Sequence, residues 1–372
     1  LTPTSDMMSE DGIDVRNYGC LNGILEARRL MGAFLNADPG NVIIFGGSSL
    51  NIMYDIVSKA MTHGIMGSTP WGKLGKVKFL CPVPGYDRHF AVTESFGIEM
   101  INIPMDENGP DMDLVEKYVS EDEAVKGIWC VPKYSNPGGV VYSDETVRRF
   151  AALKPKAKDF RIFWDNAYAV HHLDMDRPKE ILNILTEAEK EGNPDIAYVF
   201  GSFSKITFPG SSISAIASSK ANIDDILGVM KYQIIGHNKL SQLMHVRYFK
   251  DMDGVLGHMR KHAAIMKPKF DLTERILSEN LEGLGISEWS KPAGGYFVSF
   301  DTLAGCAKET VKRMADLGIK MTGAGATYPY KKDPEDRNIR IAPSFASLES
   351  LEKALTVFTK VVKLVSIEKI LE

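Results

Sequence analysis

Short apolar runs alternate with helical patterns through the first part of the chain. Seven runs have the length of a buried strand, and several are separated by stretches of helical spacing, such as residues 112–119 and 146–153. The runs lie near Val42, Val77, Met100, Ile128, Ile162, Tyr198 and Ile213. Alternation of this kind predicts an α/β fold in which a seven-stranded, mostly parallel sheet lies between helices.

The pattern changes after about residue 245, where a long helical stretch runs to about residue 281. A smaller α+β unit follows, with strands and helices predicted at 294–300, 308–317, 339–341 and 348–365. A chain of 372 residues is long enough for two domains. We therefore predict a large domain at 18–260 and a small C-terminal domain at 261–372, to which the N-terminal segment 1–17 is added.

Composition and charge exclude several classes of partner. The net charge is −4 with 25% charged residues, so no basic surface for nucleic acid or an anionic membrane is expected. No apolar run approaches the roughly 20 residues of a membrane helix, and no signal peptide heads the chain. The cysteines lack metal-ligand spacing and are expected to be reduced thiols. They are Cys20, Cys81, Cys130 and Cys306. These features predict a soluble, cytoplasmic enzyme without a metal.

A lysine follows one of the predicted buried strands. The apolar run 196–200 leads into Gly201-Ser202-Phe203-Ser204-Lys205. Ligands of open α/β sheets bind beyond the carboxyl ends of the strands, which is where this lysine falls. A partly desolvated ammonium can lose its proton near neutral pH and act as a nucleophile. The alternative is a solvated lysine at a strand end.

Polar residues follow two other predicted strands. The run 127–131 leads into a loop that contains Asn136-Pro137-Gly138, and the run 161–164 leads into Asp165-Asn166-Ala167-Tyr168. Together with Ser202-Phe203-Ser204-Lys205, these motifs occur in the order found in pyridoxal-phosphate enzymes of fold type I. Nearly the whole chain resembles the aspartate aminotransferase superfamily of these enzymes, in particular its divergent bacterial branch.

The resemblance implies a role for each of these residues toward pyridoxal 5'-phosphate. Lys205 would bind the cofactor covalently and then move the substrate proton, and Asp165 would keep the ring nitrogen protonated. Asn136 and Tyr168 would donate to the ring oxygen, and Tyr86 would stack on the ring. From the residues alone, Asp165 could instead cap a helix and Asn136 could be a turn residue. Phe90 is the alternative to Tyr86.

A glycine-rich turn is the expected phosphate site. Residues 45–50 follow the apolar run 42–44 and precede a helical pattern, a geometry that aims backbone N–H groups and a helix dipole at an anion. The resemblance implies that Gly47, Ser48, Ser49 and Ser202 bind the cofactor phosphate. It also implies a homodimer in which Tyr18 reaches the partner subunit's phosphate, although Tyr18 alone reads as ordinary packing.

The chain departs from the superfamily pattern after Lys205. Many relatives carry a phosphate-pairing arginine about eight residues further on, but here the segment ends in Ser211-Ser212-Ile213. One interpretation is that Lys239 substitutes for that arginine. Another is that Lys239 enters from the partner subunit, with His237 behind it, and supplies the cation that binds the substrate side chain. A solvated helix lysine is the third interpretation.

An arginine lies within the apolar alternation of residues 338–342. Arg340 is costly to bury there without an anionic partner, and the resemblance implies that it binds the substrate α-carboxylate bidentately. An internal salt bridge to Asp or Glu is the alternative.

The predicted function is a pyridoxal-phosphate-dependent transaminase that exchanges an amino group between an amino acid and a 2-oxo acid in a ping-pong cycle. Aspartate with 2-oxoglutarate is the expected pair. The first rival is an aromatic or kynurenine aminotransferase or a carbon–sulfur lyase on the same fold. The second is a cofactor-binding regulator domain with little turnover, although the sequence shows no winged-helix segment and no basic patch.

Overall fold

A computed structural model describes residues 4–372 and contains a large sheet and a small one. The large sheet has eight strands in the order β1-β8-β7-β6-β5-β2-β3-β4. They are β1 (Val42–Gly46), β2 (Lys78–Val83), β3 (Glu99–Asp106), β4 (Gly109–Pro110), β5 (Val125–Cys130), β6 (Arg161–Asp165), β7 (Ala197–Ser202) and β8 (Ile213–Ala217). The expectation of seven strands was wrong because β4 has only two residues and leaves no apolar run to detect.

Most of this sheet is parallel, as the sequence predicts. β2, β3, β5, β6 and β7 pair in parallel, whereas β8 is antiparallel to both β7 and β1, and β4 is antiparallel to β3. The carboxyl ends of β2, β5, β6 and β7 therefore meet at one edge of the sheet. The segments that carry Tyr86, Asn136, Asp165 and Lys205 all follow those ends.

Helices cover both faces of the large sheet. They are α1 (Leu25–Leu35), α2 (Ser49–His63), α3 (Asp87–Ser95), α4 (Met112–Glu121), α5 (Asp144–Ala151), α6 (Ile184–Lys190), α7 (Lys220–Gln233) and α8 (Lys239–Phe249). Successive side chains of β6 point to opposite faces, so Ile162 and Trp164 pack in the core beneath α1, α4, α5 and α6. Phe163 packs in the core beneath α2, α3 and α7.

The C-terminal part forms the small sheet and its own core. Strands β9 (Ser287–Trp289), β10 (Val298–Thr302) and β11 (Asn338–Ile341) pair antiparallel in the order β11-β10-β9. Helices α10 (Ala307–Asp316) and α11 (Leu348–Leu371) cover this sheet. β9 was not predicted, because three residues, two half-buried and one exposed, carry little pattern.

Helix α9 (Met252–Leu281) links the two cores. Its Val255 and Met259 pack in the large core, and its Phe270 and Leu277 pack in the small one. The helix runs unbroken across residues 260 and 261, the boundary predicted from the sequence. Within residues 4–372, no helix is both long and apolar enough to cross a bilayer.

Candidate active site

Lys205 lies three residues beyond the end of β7, at the edge of the sheet where the other strand-end residues meet. Its Nζ is 5.1 Å from the centroid of the Tyr168 ring, and its backbone carbonyl accepts a hydrogen bond from the Tyr296 hydroxyl at 3.1 Å. Lys205 is exposed to solvent, although nearby protein atoms displace part of the water around its amine. Desolvation lowers the pKa of Lys205, and the Asp165 carboxylate opposes that shift. The lysine is thus biased toward the neutral amine that a nucleophile requires.

Asp165, the last residue of β6, is a buried carboxylate with two polar partners. Ser49 Oγ donates to its Oδ1 at 3.2 Å, and His89 Nε2 lies 3.1 Å from its Oδ2. The His89 ring stacks on Trp129 with 4.6 Å between centroids. A helix-capping role for Asp165 is wrong, because its bonds are to these two side chains. The arrangement fixes the Asp165 carboxyl group in a low-dielectric site, where it can pair with a cationic neighbour.

Two tyrosines flank this carboxylate. Burial raises the pKa of Tyr86 to about 12, and the nearby Asp165 and Asp87 charges add to the shift. Burial also raises the pKa of Tyr168 well above its ordinary value. Both phenols therefore stay protonated donors at neutral pH. Tyr86 is half-buried at the edge of the sheet, whereas Phe90 packs in the hydrophobic core, so the position of Tyr86 favours it over Phe90 as the ring-stacking residue.

The glycine-rich turn joins β1 to the first turn of α2. The backbone N–H groups of Ser48, Ser49 and Leu50 have no hydrogen-bond partner among the described residues, as expected at a helix start. Ser202 Oγ donates to the Gly47 carbonyl at 3.3 Å, which joins the end of β7 to this turn. The geometry leaves donors for an anion at the N-terminus of α2.

All four predicted phosphate donors, Ser202 included, have hydrogen-bond partners within the protein. The Gly47 N–H donates to the Ser212 carbonyl at 3.1 Å, and the Ser49 hydroxyl donates to Asp165. Ser49 takes that contact because a buried carboxylate is a stronger acceptor than any other group near it. The Ser48 hydroxyl donates to Asn51 Oδ1 at 3.1 Å in an exposed contact.

Arg340 in β11 forms an internal salt bridge and also keeps a nitrogen without a partner among the described residues, so its contacts are compatible with both interpretations drawn from the sequence. Its Nη1 donates to Asp87 Oδ1 at 2.8 Å and to Asn136 Oδ1 at 3.2 Å. An internal salt bridge is therefore present. However, Nε of the same guanidinium is buried and has no partner among the described residues. Asn136 is 3% exposed and connects the loop after β5 to this arginine.

Lys239 contacts the turn that carries Tyr18. The Lys239 Nζ donates to the Gly19 carbonyl at 3.0 Å, and the side chain is buried, so the solvated interpretation is wrong. Tyr18, the residue before Gly19, is 81% exposed. A Cβ on Gly236 would lie 2.5 Å from the Gly19 carbonyl oxygen, which shows how closely the segment before α8 packs on the Tyr18 turn.

Sequence reasoning missed His89, Asp87 and Tyr296. His89 and Asp87 lie in the first turn of α3, within three residues of Tyr86. A histidine and an aspartate that begin a helix directly after a strand-end loop were the available signal. No signal in the sequence pointed to Tyr296, because it lies just before β10 of the small sheet and contacts Lys205 only in the folded protein.

The comparisons with known proteins agree with this geometry. The family model for aspartate amino-transferases matches residues 1–372. An aspartate aminotransferase of Corynebacterium glutamicum is 45% identical over 351 residues, which is 94% of this chain and 81% of that protein. The crystal structure of an aspartate transaminase from the same organism superposes with a TM-score of 0.96 at 44% identity, covering 99% of this chain and 87% of that one.

A more distant relative is an uncharacterized HTH-type transcriptional regulator of Bacillus subtilis, 27% identical over 282 residues, which is 73% of this chain and 53% of that protein. The match over the whole chain and the identity to the Corynebacterium enzyme decide the family. This protein belongs to the aspartate amino-transferase family and is an aminotransferase.

Proposed function

We propose that this chain is a pyridoxal-phosphate-dependent transaminase that moves the amino group of aspartate to 2-oxoglutarate in a ping-pong cycle. The observation that carries the proposal is the buried Asp165 carboxylate, held by Ser49 and His89 at the sheet edge that also carries Lys205. The name of the Corynebacterium glutamicum relative supports aspartate as the donor.

The donor set fits this cofactor. Free N–H groups at the start of α2 suit its phosphate, which needs fixed donors. Asp165 suits its ring nitrogen, Tyr86 its ring face, and Asn136 with Tyr168 its ring oxygen. When bound, the cofactor supplies an electron sink for the bonds of the substrate α-carbon.

The side chains of the site then have distinct tasks. Lys205 Nζ would hold the cofactor through its aldehyde group and would move the proton at the substrate α-carbon. Desolvation lowers its pKa, which favours the neutral amine that both tasks require. Arg340 binds the α-carboxylate, which fixes the α-carbon near Lys205.

The proposed working unit is a two-fold homodimer. Tyr18 is exposed in one subunit and has a use only if it reaches a second site. The contact between Lys239 and Gly19 means that a partner that receives Tyr18 also receives the N-terminus of α8. Exposed apolar side chains lie on α7, on α8 and on the segment between them, and are suited to a subunit interface. They are Tyr232, Ile235, Leu240, Met244 and Tyr248.

The test is a screen of amino donors against 2-oxoglutarate, with Lys205→Ala as the inactive control. Aspartate should give the highest kcat/KM, and Lys239→Ala should lower aspartate turnover more than turnover of an aromatic donor. Faster transfer from aromatic donors or kynurenine would replace aspartate as the substrate. Release of ammonia and pyruvate from a thioether amino acid would indicate a lyase, and cofactor binding without turnover would indicate a regulator domain.

A further inference from the structure

The Arg340 guanidinium is held from one end only. Its Nη1 donates to both Asp87 and Asn136, at 2.8 and 3.2 Å. Nε is buried without a partner within the described part of the chain, and Nη2 makes no hydrogen bond to any of those residues. The guanidinium carbon lies 5.0 Å from the centroid of the Phe297 ring, so one face of the group is covered. The edge formed by Nε and Nη2 is therefore the part of this side chain that has no hydrogen-bond partner among the described residues.

Asp87 reaches Arg340 from helix α3, which packs on the large sheet. It is the first residue of α3, directly after Tyr86, whereas Arg340 belongs to β11. The loop before Asp87 is anchored to the small-sheet side, because the Gly85 N–H donates to the Thr327 carbonyl at 2.7 Å. Thr327 Oγ1 in turn donates to Asn338 Oδ1 at 2.7 Å, within β11 itself. These bonds fix the Asp87 carboxylate relative to the strand that carries the arginine.

The planar geometry of the guanidinium determines which of its edges the contact with Asp87 occupies. A carboxylate binds an arginine bidentately along one edge of the planar group, through Nη1 and Nη2 or through Nε and Nη2. Because Asp87 and Asn136 both use Nη1, the first edge is occupied and the second is presented. An arginine without such a contact samples many rotamers, and ordering it would reduce the affinity for a ligand.

We propose that Asp87 is a positioning residue that holds Arg340 by Nη1 so that the Nε–Nη2 edge receives the substrate α-carboxylate. The inference rests on the proposed function, in which Arg340 binds that carboxylate. It assigns to Asp87 an effect on substrate affinity rather than on the chemical step. A carboxylate that merely competed with the substrate for Arg340 would have the opposite effect, because its removal would tighten binding.

The experiment measures binding of succinate, a dicarboxylate without an amino group, to the holoenzyme by titration calorimetry. Asp87→Ala should weaken binding by about tenfold or more, since truncating one partner of a partly buried charge pair frees the other. Asp87→Asn keeps an acceptor oxygen and should stay within about threefold of the parent. The control is Asp176→Ala, which removes the carboxylate partner of Arg260 from an exposed pair and should change nothing. In steady-state assays, Asp87→Ala should raise KM for amino donors and leave kcat nearly unchanged.

Unchanged or tighter succinate binding by Asp87→Ala would overturn the inference, provided that circular dichroism shows a folded protein. If that variant does not fold, Asp87→Asn and Asp87→Ser carry the test, and the serine variant should lie between the parent and a full loss. Arg340→Ala separates the two levels of the argument. If it abolishes succinate binding while both Asp87 variants bind normally, only the role of Asp87 fails. If it leaves binding intact, the role of Arg340 in the proposed function fails as well.

Discussion

His89 Nε2 lies 3.1 Å from Asp165 Oδ2, although 76 residues separate them in sequence. The contact joins the start of α3 to the end of β6, and Trp129 supports the imidazole from behind by stacking. Together with Ser49, it gives the carboxylate a fixed orientation toward the edge where Lys205 lies. A carboxylate fixed in this way acts at one stated position rather than as a mobile charge.

Replacing Asp165 tests that role. Asp165→Ala should lower kcat by several orders of magnitude and leave the circular dichroism spectrum unchanged, because the proton on the cofactor ring nitrogen would lose its partner. His89→Phe should keep the stacking on Trp129, remove Nε2 and cause a smaller loss. The measurement is single-turnover kinetics with aspartate. A loss below about tenfold for Asp165→Ala would show that the carboxylate has a structural role only.

The burial of His171 predicts how the free energy of unfolding of the protein depends on pH. His171 is buried between Tyr168 and Tyr296, and neither ring nitrogen has a partner among residues 4–372. Burial lowers its pKa from 6.5 to about 3, and the nearby Lys205 charge adds to the shift. Below pH 6.5 the unfolded chain therefore binds a proton that the folded chain does not, and stability falls as pH drops toward 3.

His171→Gln removes this proton uptake. Its unfolding free energy should fall less steeply between pH 6.5 and pH 4 than that of the parent, by up to about 1.4 kcal/mol per pH unit. Urea unfolding of the cofactor-free protein at several pH values measures the difference without a contribution from ligand binding. Parallel curves for the two proteins would contradict the buried, neutral state of His171.

The exposed face of α8 tests the proposed dimer. Leu240, Met244 and Tyr248 follow one another at four-residue spacing and are 47%, 45% and 61% exposed. Light scattering should show a dimer for the parent and a monomer without activity for Met244→Asp, because a charge cannot be buried there without a partner. Leu364→Asp is the matched control, since Leu364 on α11 is 49% exposed and should tolerate the charge. An active monomer of the parent at assay concentration would refute the proposal.

The sequence predicted the positions of the strand-end residues better than it predicted the side chains that these residues contact. Asp165, Asn136, Tyr168 and Lys205 each follow an apolar run, and the parallel sheet then brings them to one edge. The contacts of Ser49 and Asp87 depend instead on how the first turns of α2 and α3 dock against distant strands. No local pattern encodes that docking, so the Ser49 hydroxyl was assigned to a phosphate rather than to Asp165.

The local sequence pattern also did not predict which charged side chains are buried. Lys239 begins a helix in a polar segment, which is typical of a solvated lysine. It is buried because the turn at Gly19 packs on the helix start and supplies a carbonyl acceptor. Likewise, the two-residue strand β4 exists only through its pairing with β3. Both features arise from tertiary contacts between segments far apart in the chain.

The central claim is that Lys205 is the covalent attachment point of the cofactor. The direct measurement is borohydride reduction of the holoenzyme followed by peptide mass spectrometry, which should find the reduced pyridoxyl adduct on the peptide that contains Lys205. Lys133 is the internal comparison, since it also follows the end of a strand and desolvation also lowers its pKa, although Lys133 is buried and Lys205 is exposed. An adduct on Lys205 alone, absent from Lys205→Ala, is the predicted result. An adduct on Lys133 or another lysine, or no adduct at all, would contradict the account.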